Sequence, residues 1–256
     1  MKRKVKESGT ERLLSVNGAE LYCRMTGAGT PVLLLHGYGQ TNRIFEQLEW
    51  YLAQNHHVIL LDSRGHGRSS LGDKPLTISL MAADTTEVIR QLEIEPVSVI
   101  GFSDGGNIAM QIASENPACL KSIVAISGNA RPEGLKLYFK WLIKIWRGLL
   151  KTLLIFRIIP RTVMEMTSLL LHQPQISNAT LRQINIPTLL IYGSHDLITR
   201  WHIAEIGGNI QGSKTKIIPY TWHFTIVRKW RRYIGAIEQH IGIYGNYRER
   251  KGELLE

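Results

Sequence analysis

An α/β fold with a mostly parallel, doubly wound sheet is what this chain predicts, and three features carry the prediction. Short, fully apolar, β-branched runs alternate with amphipathic runs of helical period, the pattern of strands buried on both faces and covered by helices. The rhythm breaks between Asn129 and Gln183, where roughly 55 residues carry helical patterns and no strand. At 256 residues and 44% hydrophobic, the chain is long enough for one substantial core, and nothing in it resembles a linker.

The elements follow in order. Leu13 to Val16 and Ala19 to Met25 flank Asn17-Gly18, a two-residue hairpin signal, so the chain opens with an antiparallel pair. Val32 to Leu35 is a strand, Ile44 to Ala53 a helix, Val58 to Leu61 a strand and Ile78 to Leu92 a helix. Val97 to Ile100 is the next strand, then the helix Gly105 to Glu115 and the strand Leu120 to Ile126. After the break come Thr188 to Tyr192 (strand), Ile198 to Gly207 (helix), Thr215 to Pro219 (strand) and a last helix from about Phe224 to Ile241. Residues 1–128 and 184–256 therefore form the expected core, and 129–183 an insertion. Because the insertion follows the strand after Gly105 to Glu115, it lands over the carboxyl ends of the strands, where such folds place their sites.

Composition narrows the function. The formal charge of +10 suits nucleic acid, but it is concentrated locally, in Lys2 to Lys6, Arg131 to Arg161 and Arg228 to Arg232. No zinc-knuckle, helix-turn-helix or aromatic RNA platform goes with it, so no nucleic-acid partner is expected. Cys23 and Cys119 are far from any C-x-x-C spacing and read as buried, inert thiols of a reducing compartment. The basic, polar stretch Met1 to Arg12 has no apolar segment behind it and is not a secretory signal. Nor is there a run of ~18 apolar residues to span a bilayer. A cytoplasmic location is expected.

The chemistry centres on Gly101-Phe102-Ser103-Asp104-Gly105, between a strand and a helix. A strand that turns into a helix within one residue forces the turning residue into strained geometry and needs neighbours without side chains. Ser103 is that residue, its hydroxyl lifted clear of the sheet and the amides of the next helix aimed at whatever it attacks. By itself G-x-S-x-G arises by accident in roughly one chain in ten of this length. Its weight comes from a base, an acid and an oxyanion donor at other strand ends.

Asp196, in Tyr192-Gly193-Ser194-His195-Asp196, is the sole aspartate downstream of the turn and follows a strand directly. Its competing role is the N-cap of the helix beginning near Leu197. Asp104 is expected to point away from the nucleophile, while Glu205 and Glu238 lie inside helices. Of the later histidines, His202 and His240 fall within helices. His223, in Thr221-Trp222-His223-Phe224, stands on a strand-end loop and is the candidate base. Leu35-His36-Gly37-Tyr38-Gly39 supplies a glycine-rich strand end, and the amides of Tyr38 and Asp104 are the expected oxyanion donors. His36 itself reads as a packing residue.

Nucleophile, acid and base thus occur in the order Ser103, Asp196, His223, each at a strand end. In these segments the chain resembles the α/β-hydrolase superfamily from about Glu11 to Ile241. Leu35 to Gly39 is similar to its oxyanion loop, Gly101 to Gly105 to its nucleophile elbow and Gly193 to Asp196 to its acid loop. Asp62-Ser63-Arg64-Gly65-His66-Gly67-Arg68-Ser69 is similar to its D-x-R-G-x-G-x-S stretch, which is chiefly structural. One position departs: members usually carry Gly before the histidine, and the bulk of Trp222 is expected to narrow the space beside His223.

The resemblance implies an α/β-hydrolase fold in which the insertion caps the site and forms an acyl or alkyl pocket. Within it Lys136, Lys140, Lys144, Arg147 and Lys151 make one helical stripe, with Leu137, Trp141, Leu142, Ile145, Leu149 and Leu153 opposite. The expected arrangement is an apolar face roofing the site and a basic face in solvent. The alternative is an interfacial helix that associates weakly with anionic lipid.

The expected activity is hydrolysis of a carboxylic ester with an apolar acyl group, through an acyl-enzyme, with no cofactor and no metal. Cleavage of C–C bonds or perhydrolysis would use the same residues. A reading from another class is a non-catalytic ligand receptor or membrane-recruited scaffold.

Overall fold

A computed structural model describes residues 9–155 and 161–242. Strands β1 (Thr10–Val16) and β2 (Ala19–Thr26) pair in antiparallel register through the predicted hairpin. Asn17 and Gly18 both take positive φ, 48° and 81°, as a turn matching strand twist requires. The remaining strands are β3 (Thr30–Leu35), β4 (His56–Leu61), β5 (Val97–Phe102), β6 (Leu120–Ile126), β7 (Thr188–His195) and β8 (Lys214–Trp222). They form one eight-stranded sheet in the order β1-β2-β4-β3-β5-β6-β7-β8. From β4 to β8 every neighbouring pair is parallel, and β2 alone joins β4 in antiparallel fashion.

Alternation along each central strand divides the core into two layers. Leu33 and Leu35 of β3, Val97 and Val99 of β5 and Ile123 and Ala125 of β6 face one side. Val32 and Leu34, Ile100 and Phe102, and Val124 and Ile126 face the other. Helices α2 (Ile78–Gln91) and α3 (Asp104–Glu115) cover the first layer with Met81, Val88, Ile108 and Ile112. Helix α1 (Glu46–Leu52) and the C-terminal segment cover the second with Leu48, Trp230, Tyr233 and Ile237. Each such side chain taken fully out of water contributes about 2 kcal/mol before entropy is counted, so the sheet is held from both faces.

In the insertion lie α4 (Leu137–Ile155), α5 (Arg161–His172) and a single turn, α6 (Asn178–Leu181). Helix α7 (Arg200–Asn209) follows β7. Its start falls two residues later than expected at Ile198, because Leu197 and Ile198 are buried and Ile198 bridges to Leu135 in an extended pair. Thr199, not Asp196, is therefore the residue at the N-cap.

Two further expectations are corrected. The last helix is not continuous from Phe224. Residues 223–225 and 227–232 are 3-10 turns, and regular helix, α8, covers only Ile234–Ile241. The break lets buried Trp230 and Tyr233 both reach the sheet, with the Tyr233 hydroxyl donating to the Ile226 carbonyl at 2.9 Å. The second correction concerns α4. Among the described side chains its buried positions are Ile143 and Leu150, on the flank of the basic stripe, whereas Leu137, Trp141, Leu142, Ile145 and Leu149 are exposed. Period fixes that a helix has two faces but not which one finds a partner. Leu153 and the basic cluster Lys2 to Lys6 lie outside the residues whose side chains are described.

Candidate active site

Ser103 sits between β5 and α3 with φ 52° and ψ −116°, a conformation that non-glycine residues avoid. Two backbone bonds hold it there: its N–H donates to Ile126 O at 2.8 Å, and its carbonyl accepts from Asn107 N at 3.0 Å. The flanking glycines allow the bend by absence of volume. A Cβ on Gly101 would lie 2.1 Å from the Gly105 carbonyl oxygen, and one on Gly105 would lie 2.0 Å from that of Leu35. Gly37 closes the ring, since a Cβ there would lie 2.9 Å from the Cβ of Ser103.

From the end of β8, His223 reaches back to this serine. Its Nε2 lies 3.3 Å from Ser103 Oγ, and its Nδ1 lies 2.7 Å from Asp196 Oδ1. A neutral imidazole in this setting donates Nδ1–H to the carboxylate and presents Nε2 to the hydroxyl. Asp196 is buried beyond β7 and accepts also from Ser127 Oγ (2.5 Å), Gly193 N (3.0 Å) and Ile198 N (3.3 Å). Burial pushes its pKa up, but the hydrogen bond and charge of His223, with the Ser127 hydroxyl and Gly193 amide, outweigh that and hold it below the ordinary carboxylate range.

Tyr38 and Asp104, the expected oxyanion donors, both line the cavity that Ser103 and His223 enter. As the first residue of α3, Asp104 has no intrahelical acceptor for its N–H. Its carboxyl is buried beside Asn107. One carboxyl oxygen accepts from Asn107 Nδ2 at 3.1 Å, while the other is buried without a hydrogen-bond partner. Burial raises its pKa to about 6, against the opposing pull of His223 and the Asn107 bond.

The other histidines do structural work. His36 joins two strand-end loops, its Nδ1–H donating to Gly37 O (2.8 Å) while Nε2 accepts from Ser63 N (3.0 Å). Burial, with His66 beside it, pushes His36 down to about 4 and keeps it neutral. His202 Nε2 accepts the amides of Ala130 (3.0 Å) and Arg131 (3.3 Å) at the start of the insertion, and Nδ1 pairs with Glu205. His240 bonds the Ile123 carbonyl at 3.0 Å. None of the three has Ser103 among these partners.

Trp222 does not crowd His223. Its ring is exposed and stacks on His195, with centroids 4.6 Å apart, because residue 222 ends β8 with its side chain on the side away from the cavity.

Two positions were not legible as site supports. Ser127 follows β6 in no recognisable motif, and only the parallel pairing of β6 with β7 puts it beside Asp196. Asp84 of α2 carries no motif either, yet it holds the fully buried Arg64 in a bidentate pair at 2.7 and 2.8 Å, which anchors the Asp62 to Ser69 loop. Asp62 braces the same loop, accepting from Asn42 N (2.8 Å) and Arg68 N (3.0 Å).

The cavity has a volume of about 420 Å³ and a mostly apolar wall, including Phe102, Leu135, Phe139, Ile143, Leu197 and Ile198. Its roof comes from α4 and α5, its floor from the strand ends. Among the described residues no group of three His, Cys, Asp or Glu side chains is placed to hold a metal ion.

A model described as "Alpha/beta hydrolase family" matches residues 32–234. The human serine hydrolase BPHL is 27% identical over 237 residues, covering 84% of this chain and 81% of that protein. A relative from Azorhizobium caulinodans is 37% identical over 116 residues, 45% of this chain and 44% of its own length. Against that relative, the matched part of the chain spans less than half the partner. Among solved structures, the esterase EaEST from Exiguobacterium antarcticum superposes with a TM-score of 0.77 at 21% identity, covering 92% of this chain and 100% of that one.

Proposed function

Because the chain belongs to the alpha/beta hydrolase family, we propose that it is a hydrolase that cleaves carboxylic esters through an acyl-enzyme formed on Ser103. The observation that carries this reading is the continuous hydrogen-bonded line from Ser103 Oγ through His223 to Asp196, at 3.3 and 2.7 Å.

In the proposed mechanism His223 Nε2 takes the Ser103 proton as the oxygen attacks the ester carbonyl. Asp196 holds the ring in the tautomer with Nδ1 protonated and stabilises the imidazolium. The amides of Tyr38 and Asp104 receive the oxyanion, each worth roughly 3 kcal/mol in the transition state. His223 then protonates the leaving alcohol and, on the second half of the cycle, removes a proton from the water that releases the acyl group. The apolar wall supports an uncharged acyl group, and each step of this chemistry runs without a cofactor.

Turnover of short p-nitrophenyl esters tests the reading. The wild type should hydrolyse them and be labelled by a fluorophosphonate at Ser103. Ser103→Ala should retain its fold by circular dichroism and lose at least about 10³-fold in kcat. A folded wild type that neither turns over any ester of a chain-length series nor takes the label would overturn it.

A further inference from the structure

Among its described residues, helix α4 directs most of its apolar surface away from the protein. Leu137, Trp141 and Ile145 are 67, 58 and 62% exposed, and Leu149 continues the same face. Leu142 and Trp146 are likewise exposed while bordering the cavity, as is Phe224 across the mouth from them. Phe139, beneath, meets Phe224 edge to face at 6.4 Å. An unbroken apolar path therefore runs from the outer surface of the cap into the cavity beside Ser103. Exposed apolar side chains in such continuity mark a surface that meets something.

Charge identifies what it meets. From Leu137 to Ile155 there is no Asp or Glu, while Lys140, Lys144, Arg147 and Lys151 are all cationic. Lys144 and Lys151 are exposed beside the apolar face, and the Lys144 ammonium stands 5.5 Å from the Trp141 ring centroid. A second copy of this helix laid on the first would bring lysine against lysine with no carboxylate from either helix to pair them. An anionic layer with an apolar interior meets both needs at once: phosphates and carboxylates for the lysines, acyl chains for Trp, Leu and Ile. No described helix is long and apolar enough to cross a membrane, so α4 would lie along such a surface.

We propose that the outer face of α4, with Phe224, docks on bilayers containing anionic phospholipid and so places the cavity mouth against the lipid. That the docked enzyme draws an acyl ester from that layer rests on the hydrolase reading; the docking itself does not.

Sedimentation with vesicles separates the two. The Ser103→Ala protein, unable to turn over substrate, should pellet with vesicles of phosphatidylcholine containing about 30 mol% phosphatidylserine and far less with phosphatidylcholine alone. Reversing two lysines, Lys144→Glu with Lys151→Glu, should lower partition onto the anionic vesicles by about 30-fold or more. Trp141→Ser with Ile145→Ser should lower it by about tenfold or more. Salt at about 1 M should weaken the lysine-dependent part. Both double variants should keep wild-type turnover of a water-soluble ester, since none of the four side chains lines the cavity. Folded Ser103→Ala protein that stays in the supernatant with anionic vesicles would overturn the proposal. So would a dimer that Trp141→Ser with Ile145→Ser converts to monomer, because the face would then be covered by a second copy. Neither outcome bears on ester turnover, and loss of turnover would leave the vesicle result standing.

Discussion

Replacing Asp104 by Asn should make the protein more stable at neutral pH and leave it unchanged in acid. In the folded protein this carboxyl is buried, has one oxygen without a partner, and titrates at about 6 instead of at the reference 3.8. The folded state thus holds the proton more tightly than the unfolded chain. Below about pH 3 both states are protonated and the site costs nothing. As pH rises toward 6 the unfolded carboxyl ionises first and stability is lost, and above 6 the loss stays constant. The gap of about 2 pKa units corresponds to about 3 kcal/mol at 1.36 kcal/mol per unit. The Asp104→Asn side chain keeps the oxygen that accepts from Asn107 and removes the buried charge. Urea unfolding of both proteins from about pH 3 to pH 8 should give midpoints that coincide at the acid end. They should separate by about 1 M at the alkaline end, with the Asp104→Asn protein the more resistant of the two. A wild type as stable as the variant across the whole range, or a gap already complete at pH 4, would refute the argument.

Two other substitutions test the supports of the site. Ser127→Ala removes one of the hydrogen bonds to Asp196 and, on the proposed mechanism, should lower kcat by roughly tenfold with KM little changed. An unchanged kcat would show that the remaining donors hold the carboxylate unaided. Asp84→Asn leaves the fully buried Arg64 guanidinium without its counter-charge and should destabilise the fold by about 3–5 kcal/mol in urea titrations. A loss under about 1 kcal/mol would mean that the carbonyls of Val16, Asn17 and Leu71 suffice for Arg64.

The sheet was legible because its evidence is local. Each apolar run carries its own period, and Asn17-Gly18 specifies its own turn. Ser103 was legible for the same reason: a strand, a glycine, a serine, a glycine and a helix lie within a few residues of one another. Ser127 and Asp84 were not, because each acts on a residue far along the chain, 69 and 20 positions away, through pairing that no short pattern encodes. The outward face of α4 is hidden from sequence for a different reason. Its amphipathic period is unambiguous, but choosing which side meets the core depends on the shape of the space left above the strands. Trp222 follows the same logic, since sequence gives its bulk and not its direction.

The meeting of Gly37, Gly101 and Gly105 around Ser103 has a practical consequence for anyone retailoring this cavity. The bend beneath the cavity has no room for an added carbon atom at any of the three positions, so substitution there should break the site. Novelty must enter from the roof, where Leu142, Ile143 and Trp146 border the same cavity on a helix whose changes leave the bend beneath it untouched. A library confined to those three codons should therefore yield folded proteins with altered substrate preference, while one aimed at the glycines should yield mostly aggregates.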